Sequence, residues 1–434
     1  MRIVMIGTGY VGLVSGACFS DFGHHVCCVD KDAGKVEALL QGRIPIFEPG
    51  LDELVAKNVA GGRLEFTLDL VEALPSADAV FIAVGTPSRR GDGHADLSYV
   101  HAAAREMSPH LEPGVVVVTK STVPVGTGDE VERIVSEARP DLEFSVASNP
   151  EFLREGAAIE DFKRPDRVVI GVDDERAAAV LHEIYRPLLR NETPLLVMKR
   201  RAAELTKYAA NAFLATKIGF INEIADLCEK VRPDVHDVAR GIGLDTRIGP
   251  RFLQPGPGYG GSCFPKDTLA LLKTAQDCEA SLRIVEAVVA SNDNRKRSMG
   301  RKVIAALGGA AQGKVVALLG LTFKASTDDM RDSPAISIVR ALQDAGAQVR
   351  AYDPEGMEQA REVLDDDVMY CNDAYDAMAG ADAAVIVTEW DAFRALDFDR
   401  AGELLRERLL VDLRNLYDRA DIERLGFRYV AVGR

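Results

Sequence analysis

The first thirty residues constrain the fold more than any other stretch. Residues 2–6 read as a buried strand, and Gly7-Thr8-Gly9-Tyr10-Val11-Gly12 follows at once. A helical pattern runs from residue 13 to about 22, residues 25–29 form a second strand, and Asp30 ends it. In such a βαβ unit the first glycine allows a tight turn and the second lets a pyrophosphate approach the backbone. The third lets helix and strand pack closely. Asp30, twenty-three residues after Gly7, stands where an acid accepts hydrogen bonds from a ribose hydroxyl. A carboxylate there repels a 2′-phosphate, so the unit predicts NAD rather than NADP.

Further βα units follow. Strands at 79–84, 115–118 and 144–148 end in polar, proline-marked loops: Gly85-Thr86-Pro87, residues 119–124 and residues 149–156. Ligands of such sheets bind beyond the carboxyl ends of the strands, which makes these the candidate cofactor and substrate loops. One long helix is expected over 201–230, with Lys207 and Asn211 four apart on one face and Glu204 and Tyr208 beside them. The plainer reading of that pair is a solvated helix face. Helical segments near 234–240, 267–276 and 281–307 make the middle of the chain largely helical.

Within that middle, Gly260-Gly261-Ser262-Cys263-Phe264-Pro265-Lys266-Asp267 places a cysteine in a turn just before a helix. A helix N-terminus favours thiolate, and thiolate is a nucleophile. The plainer reading is a small buried hydrophobe. No histidine lies near Cys263 in sequence, which argues against a thiol hydrolase.

Residues 313–320 restart the α/β pattern, and the C-terminal part echoes the N-terminal one. A strand at 348–352 ends in Asp353, others lie at 384–387 and 409–412, and the second and third loop glycines are missing. Leu321-Thr322-Phe323-Lys324 stands there instead, offering a side-chain cation where backbone served before. A second nucleotide diphosphate, not NAD, is the expected ligand.

Length and charge bound the rest. A chain of 434 residues suggests two or three domains. With no run of eighteen apolar residues, no membrane partner is expected. A net charge of −15, from 67 acidic and 52 basic residues, argues against nucleic acid. Seven cysteines without a Cys-x-x-Cys pair or a Cys/His cluster support neither a disulfide framework nor a metal site. Together with an N-terminus that enters a strand at once, they lead to the expectation of a reducing cytoplasm.

These features together resemble the UDP-glucose/GDP-mannose dehydrogenase family, end to end, on residues 7–12, 149–156, 204–223, 260–267 and 320–324. Segments 207–218 and 247–253 are similar to the branch that oxidises UDP-glucose. The resemblance implies an α/β fold of two Rossmann-like doubly wound domains joined by a central helical region with a long helix. Residues 1–200 would bind NAD, 201–308 would form a dimerisation and active-site region, and 309–434 would bind the UDP-sugar. It implies oxidation of the sugar C6 alcohol to the carboxylate of UDP-glucuronate with two NAD and water. GDP-mannose or a UDP-N-acetylhexosamine is the alternative substrate.

An aldehyde cannot lose a second hydride until a nucleophile adds to it, and the resemblance gives that role to Cys263, through thiohemiacetal and thioester. Lys207 and Asn211 would hold the C6 oxygen as charge builds. Asp267 would act as a base through water and Glu151 in thioester hydrolysis, with Thr122 among the catalytic positions. Whether Lys207 or an Asp267-bound water takes the first proton stays open. Implied NAD contacts are Gly7, Gly9, Tyr10, Val11, Gly12, Asp30, Lys35, Thr86, Thr122, Glu155, Lys266 and Arg331. Implied substrate contacts are Glu151, Phe152, Leu153, Lys207, Asn211, Phe252, Leu253, Gly256, Gly260, Phe264, Phe323 and Lys324. Arg247 matches an arginine that reaches a neighbouring subunit's site, implying at least a homodimer. A non-catalytic nucleotide-sugar sensor would be marked by loss of Cys263, Lys207 or Asp267, and all three are present.

Overall fold

The structure, a computed structural model, describes residues 1–89 and 93–434. The chain divides into two compact units, Met1–Ala210 with Lys273–Glu279, and Asn211–Leu272 with Ala280–Arg434.

In the first unit eight strands form one sheet: β1 (Arg2–Ile6), β2 (His25–Val29), β3 (Leu64–Thr67), β4 (Ala79–Ile82), β5 (Val116–Thr119), β6 (Ser145–Ser148), β7 (Val168–Val172) and β8 (Leu195–Met198). Their order is β3-β2-β1-β4-β5-β6-β7-β8, parallel throughout except where β7 runs antiparallel to β6. Central strands of a parallel sheet are covered on both faces and so read as unbroken apolar runs. Ile3, Val4 and Met5 of β1 and Val80 and Phe81 of β4 are accordingly buried. On one face Phe19 packs edge-on against Phe162 and Tyr185. Chain order reverses beside β1, where a sheet of this kind opens its ligand crevice.

The first helix spans Tyr10–Asp21, three residues earlier than the hydrophobic pattern indicates. Gly9 is extended and serves as its N-cap, so Tyr10, Val11 and Gly12 already form the first turn. The strand expected over 79–84 stops at Ile82.

The second unit carries six parallel strands: β9 (Val315–Leu319), β10 (Gln348–Tyr352), β11 (Met369–Tyr370), β12 (Ala383–Ile386), β13 (Leu409–Asp412) and β14 (Arg428–Ala431). Their order, β11-β10-β9-β12-β13-β14, repeats that of the first six strands of the chain. The expected echo between the two halves is therefore topological as well as local.

The long helix spans Arg200–Val231; its residues to Ala210 belong to the first unit and those from Asn211 to the second. Among the described residues no helix is long and apolar enough to cross a membrane.

Candidate active site

In the first unit the loop after β1 is shaped for a pyrophosphate. Gly7 leaves the strand at φ +103°, a conformation L side chains avoid. A Cβ on Gly12 would stand 2.0 Å from the Gly7 carbonyl oxygen, so helix and loop touch through bare backbone. A Cβ on Gly9 would meet nothing within 4 Å, so the second glycine faces open space. The helix it opens has no side-chain cap and no acid in its first turn, which leaves its N–H groups to an anion. These features fit NAD.

Asp30 accepts from the Thr8 N–H and hydroxyl, both at 2.7 Å, and from the Asp32 N–H at 3.0 Å. Burial would raise its carboxyl, but these bonds and the charge of Lys35 hold it below the usual range. Lys35 itself is exposed on the helix Ala33–Leu40. Thr86 donates to the Thr122 carbonyl at 2.8 Å, joining the loops after β4 and β5. Tyr10 bonds to Glu48, whose carboxylate also accepts the Gly156 and Ala158 N–H groups at 2.7 Å. The glycine loop and the loop that carries Glu155 are thus pinned by one acid.

Beyond β6 the same unit builds an ion pair away from water. Lys207 donates to Glu151 Oε1 at 2.9 Å, with both side chains almost wholly buried. Glu151 Oε2 accepts the Leu153 N–H at 2.5 Å. Burial would raise the Glu151 carboxyl; Lys207 above all, then the Leu153 bond and the charge of Lys120, hold it below its ordinary value. The Phe152 ring lies 5.4 Å from the Lys207 ammonium and 3.7 Å from the Arg167 guanidinium. One turn before Lys207, Glu204 accepts the N–H groups of Gly126 at 2.7 Å and Gly128 at 2.8 Å, fixing the segment that follows Thr122. A cavity of about 10 Å³, room for one water, is lined by Thr122, Ser148, Glu204 and Lys207 among others.

The second unit holds the thiol. Cys263 directly precedes the helix Phe264–Asp277, and its carbonyl accepts the Asp267 N–H at 2.8 Å, as at a helix start. Ser262 Oγ lies 3.4 Å from its sulfur. Asp267 is buried, taking the Asn211 amide at 2.6 Å on Oδ2 and the Lys266 ammonium at 2.7 Å on Oδ1. The cysteine turn is set against the loop after β9: a Cβ on Gly260 would meet the Asp332 carbonyl oxygen at 2.4 Å, and the Gly261 N–H donates to the Arg331 carbonyl at 2.8 Å. The Arg331 side chain forks onto Asp329 at 2.8 and 2.9 Å. Phe323 faces Gly261, and the Lys324 ammonium lies 5.5 Å from its ring. Gly256 donates to Asn222 Oδ1 at 2.9 Å while its carbonyl accepts Arg295 Nε at 2.9 Å. Leu253 is buried, and Phe252 is held left-handed at φ +64° with its ring 6.1 Å from that of Phe264. For a non-glycine residue that is strain, and strain of this kind gathers at ligand sites.

Within the first unit, then, Glu151, Phe152 and Lys207 come together, as do Thr86 and Thr122. Within the second, Asn211, Lys266 and Asp267 do, and Gly260, Phe323 and Arg331 share one loop junction. Arg247 joins neither group: its exposed side chain pairs with Asp245 two residues away. The positioning residues Glu48, Asn222 and Arg295, and the roles of Lys120 and Glu204, escape sequence reasoning, because each acts on a loop distant in the chain. Of the seven cysteines, Cys18, Cys27, Cys28, Cys228 and Cys371 are buried, Cys263 is half-buried and Cys278 exposed.

A sheet whose glycine turn fits a dinucleotide, repeated in the same chain by a like sheet with Phe323 and Lys324 in the matching turn, is the plan of a nucleotide-sugar dehydrogenase. The chain belongs to the UDP-glucose/GDP-mannose dehydrogenase family: residues 1–189 match its NAD binding domain, 201–294 its central domain and 317–419 its UDP binding domain. It is 67% identical over 436 residues to the UDP-glucose 6-dehydrogenase of Rhizobium meliloti (strain 1021), covering 100% of both chains. To the UDP-glucose 6-dehydrogenase TuaD of Bacillus subtilis (strain 168) it is 45% identical, over 100% of this chain and 93% of that one. Its fold matches the UDP-glucose dehydrogenase of the hyperthermophilic archaeon Pyrobaculum islandicum with a TM-score of 0.88 at 42% identity, covering 95% and 94% of the two chains. The UDP-D-ManNAc dehydrogenase of Pyrococcus horikoshii gives the same TM-score at 26% identity, covering 100% and 99%.

Proposed function

We propose that this chain oxidises UDP-glucose at C6 to UDP-glucuronate. The observation that carries the reading is full-length identity of 67% to a UDP-glucose 6-dehydrogenase. On it, residues 1–200 hold NAD, 201–308 form the dimerising and catalytic region, and 309–434 hold the UDP-sugar.

Two NAD, bound in turn, would each supply one hydride acceptor, the first for the alcohol and the second for the thiohemiacetal. The loop of Gly7, Gly9, Tyr10, Val11 and Gly12 cradles its pyrophosphate and Asp30 takes a ribose hydroxyl, with Lys35, Thr86, Thr122, Glu155, Lys266 and Arg331 as further contacts. In the first step the C6 hydroxyl proton passes to Lys207 or to an Asp267-bound water, and Lys207 and Asn211 hold the C6 oxygen as negative charge grows on it. The Cys263 thiolate adds to the aldehyde carbon, and the new oxyanion takes a proton. Loss of the second hydride leaves a thioester and releases that proton. Water, with Glu151 as base, then cleaves the carbon–sulfur bond and returns the thiolate. Asp267 orients Asn211 and Lys266 by the bonds already described. Phe152, Leu153, Phe252, Leu253, Gly256, Gly260, Phe264, Phe323 and Lys324 line the sugar-nucleotide path, and Lys324 supplies a cation to its phosphates.

The working form is a homodimer in which Arg247 serves the neighbouring site, located in the cytoplasm. Two features support the dimer. Phe213, Phe220, Leu227 and Val231 are exposed at intervals of seven, seven and four residues along one stripe of the long helix, and Arg247 is exposed.

The test is an NADH count. Cys263→Ala should bind both ligands, release at most about one NADH per site and stall at the aldehyde, whereas wild type releases two per sugar. Two NADH per sugar at the wild-type rate from the variant would remove the thioester. A panel of UDP-glucose, GDP-mannose and UDP-N-acetylhexosamines settles the substrate. Co-expressing Arg247→Ala with Cys263→Ala tests the shared site; verified mixed dimers without activity would refute it.

A further inference from the structure

Lys120 follows β5 and is buried at 2% exposure, where an ammonium is costly unless it is held. Its Nζ donates to Asn149 Oδ1 at 3.1 Å, to the Asn149 carbonyl at 3.4 Å and to the Tyr185 hydroxyl at 3.4 Å. The cradle is itself fixed. Tyr185 donates to Asn149 Oδ1 at 2.6 Å, and Asn149 Nδ2 to the Val169 carbonyl at 2.9 Å. Phe162 closes the remaining side, its ring centre 5.8 Å from the ammonium. None of these partners is a carboxylate. The charges acting on Lys120 are Glu151, two residues after its anchor Asn149, and Lys207; burial, and to a lesser degree Lys207, draw its ordinary value down to about 8 against the pull of Glu151.

Glu151 thus answers to two cations of different kinds. Lys207 touches it directly and, on the reading above, must also serve the sugar oxygen. Lys120 acts on it by charge alone and is tied into the base of the same turn. We propose that Lys120 is a positioning residue for the reaction: a fixed counter-cation that holds the Asn149-Pro150-Glu151 turn and keeps Glu151 ionised while Lys207 is drawn to the substrate. The proposal rests on Glu151 being the base of thioester hydrolysis. Losing an opposite charge raises a carboxyl, so without Lys120 the Glu151 base protonates at higher pH. Lys120 touches no substrate and needs none of its own protons in the reaction.

The experiment compares wild type, Lys120→Met, Lys120→Arg, Tyr185→Phe and Glu151→Gln, following first-turnover NADH and steady-state kcat from pH 5 to 9. Lys120→Met should keep the first NADH per site, while the acid limb of kcat moves up by about one pH unit or more. Lys120→Arg, which restores the charge, should return the limb, and Tyr185→Phe, which leaves the charge, should not move it. If methionine is not tolerated, Lys120→Gln, which leaves a polar end without the charge, carries the same expectation. An unmoved limb without the charge, or a limb displaced equally in Lys120→Arg or Tyr185→Phe, overturns the counter-cation. Normal hydrolysis in Glu151→Gln instead overturns the role of Glu151, whatever the Lys120 variants do.

Discussion

The turns after β1 and β9 begin alike and diverge within four residues. Gly7 and Gly320 both leave their strands left-handed, at φ +103° and +96°, and in each unit the acid ending the next strand reaches back to the turn. Asp30 takes the N–H and hydroxyl of Thr8 and the Asp32 N–H, and stays half-buried. Asp353 takes the N–H groups of Leu321 and Thr322 and the Thr322 hydroxyl, then also the Trp390 indole and the N–H groups of Glu355 and Gly356. It is 1% exposed. The first acid keeps capacity for a ligand, while the second is saturated by its own chain. The helices differ to match. One starts at Tyr10, two residues beyond Thr8, while the other waits until Pro334, after the stretch that carries Phe323, Lys324 and Arg331. Equal topology therefore does not mean equal chemistry: one turn runs straight from glycine into a helix, while the other inserts a stretch of side chains first.

Five substitutions probe this contrast, ordered by expected effect. Asp353→Ala should be the most damaging, because the buried N–H groups of Leu321, Thr322 and Gly356 and the Trp390 indole lose their acceptor. A loss of about 3–5 kcal/mol in denaturant unfolding is expected, with no change in NADP preference. If it lowers NAD affinity and leaves stability alone, the structural role is wrong. Gly12→Ala comes next, because its Cβ would sit 2.0 Å from the Gly7 oxygen. The turn must open, at a cost of about 3 kcal/mol at the upper end of overpacking effects, and calorimetric titration should find NAD binding lost. Asp30→Ala should cost about 1.5–3 kcal/mol of NAD affinity with little effect on melting, and NADP should become relatively better. A wild type that prefers NADP would end the comparison.

The smallest effect is in acid. The Asp30 carboxyl lies below its ordinary value in the folded chain, so its contribution is complete above the unfolded value of about 3.9. That contribution disappears as pH falls through the lower folded value. Asp412, at the end of β13, is pushed up by burial against the bonds it accepts, so its ionised form opposes folding above that same unfolded value. Urea midpoints between pH 3 and 6 should show Asp30→Asn flattening the acid loss and Asp412→Asn removing a slope of opposite sign. Parallel changes in both variants would contradict the assignment.

Much of the architecture was legible because it is local. Strand, glycine turn, helix and terminal acid occupy contiguous residues in each half, and the 32-residue helix shows one uninterrupted pattern. β7 and β8 were not foreseen. β8 is largely exposed at the sheet edge, and Pro187 inside the preceding helix Glu175–Leu189 reads as a breaker. The cysteine turn could be placed at a helix start from its glycines and proline alone. The pairing of Lys207 with Glu151, 56 residues apart, could not, nor the capping of Gly156 and Ala158 by Glu48, because partner choice across such gaps is set by tertiary packing. Asp353 shows the converse: the letter matches Asp30, and only Trp390 and Gly356, remote or local donors without a motif, make it structural.

The distribution of sulfur offers a gauge of intactness. Five thiols lie inside, and burial pushes those of Cys27 to about 11 and Cys18 to about 12, which leaves them slow to alkylate even where a reagent could enter. A folded molecule should therefore take up two iodoacetamide tags quickly, at Cys263 and Cys278, and an unfolded one all seven. Substrate that shields the half-buried sulfur would reduce the fast count to one. Tag number read by intact mass would then report occupancy and unfolding in a single trace, with no engineered label.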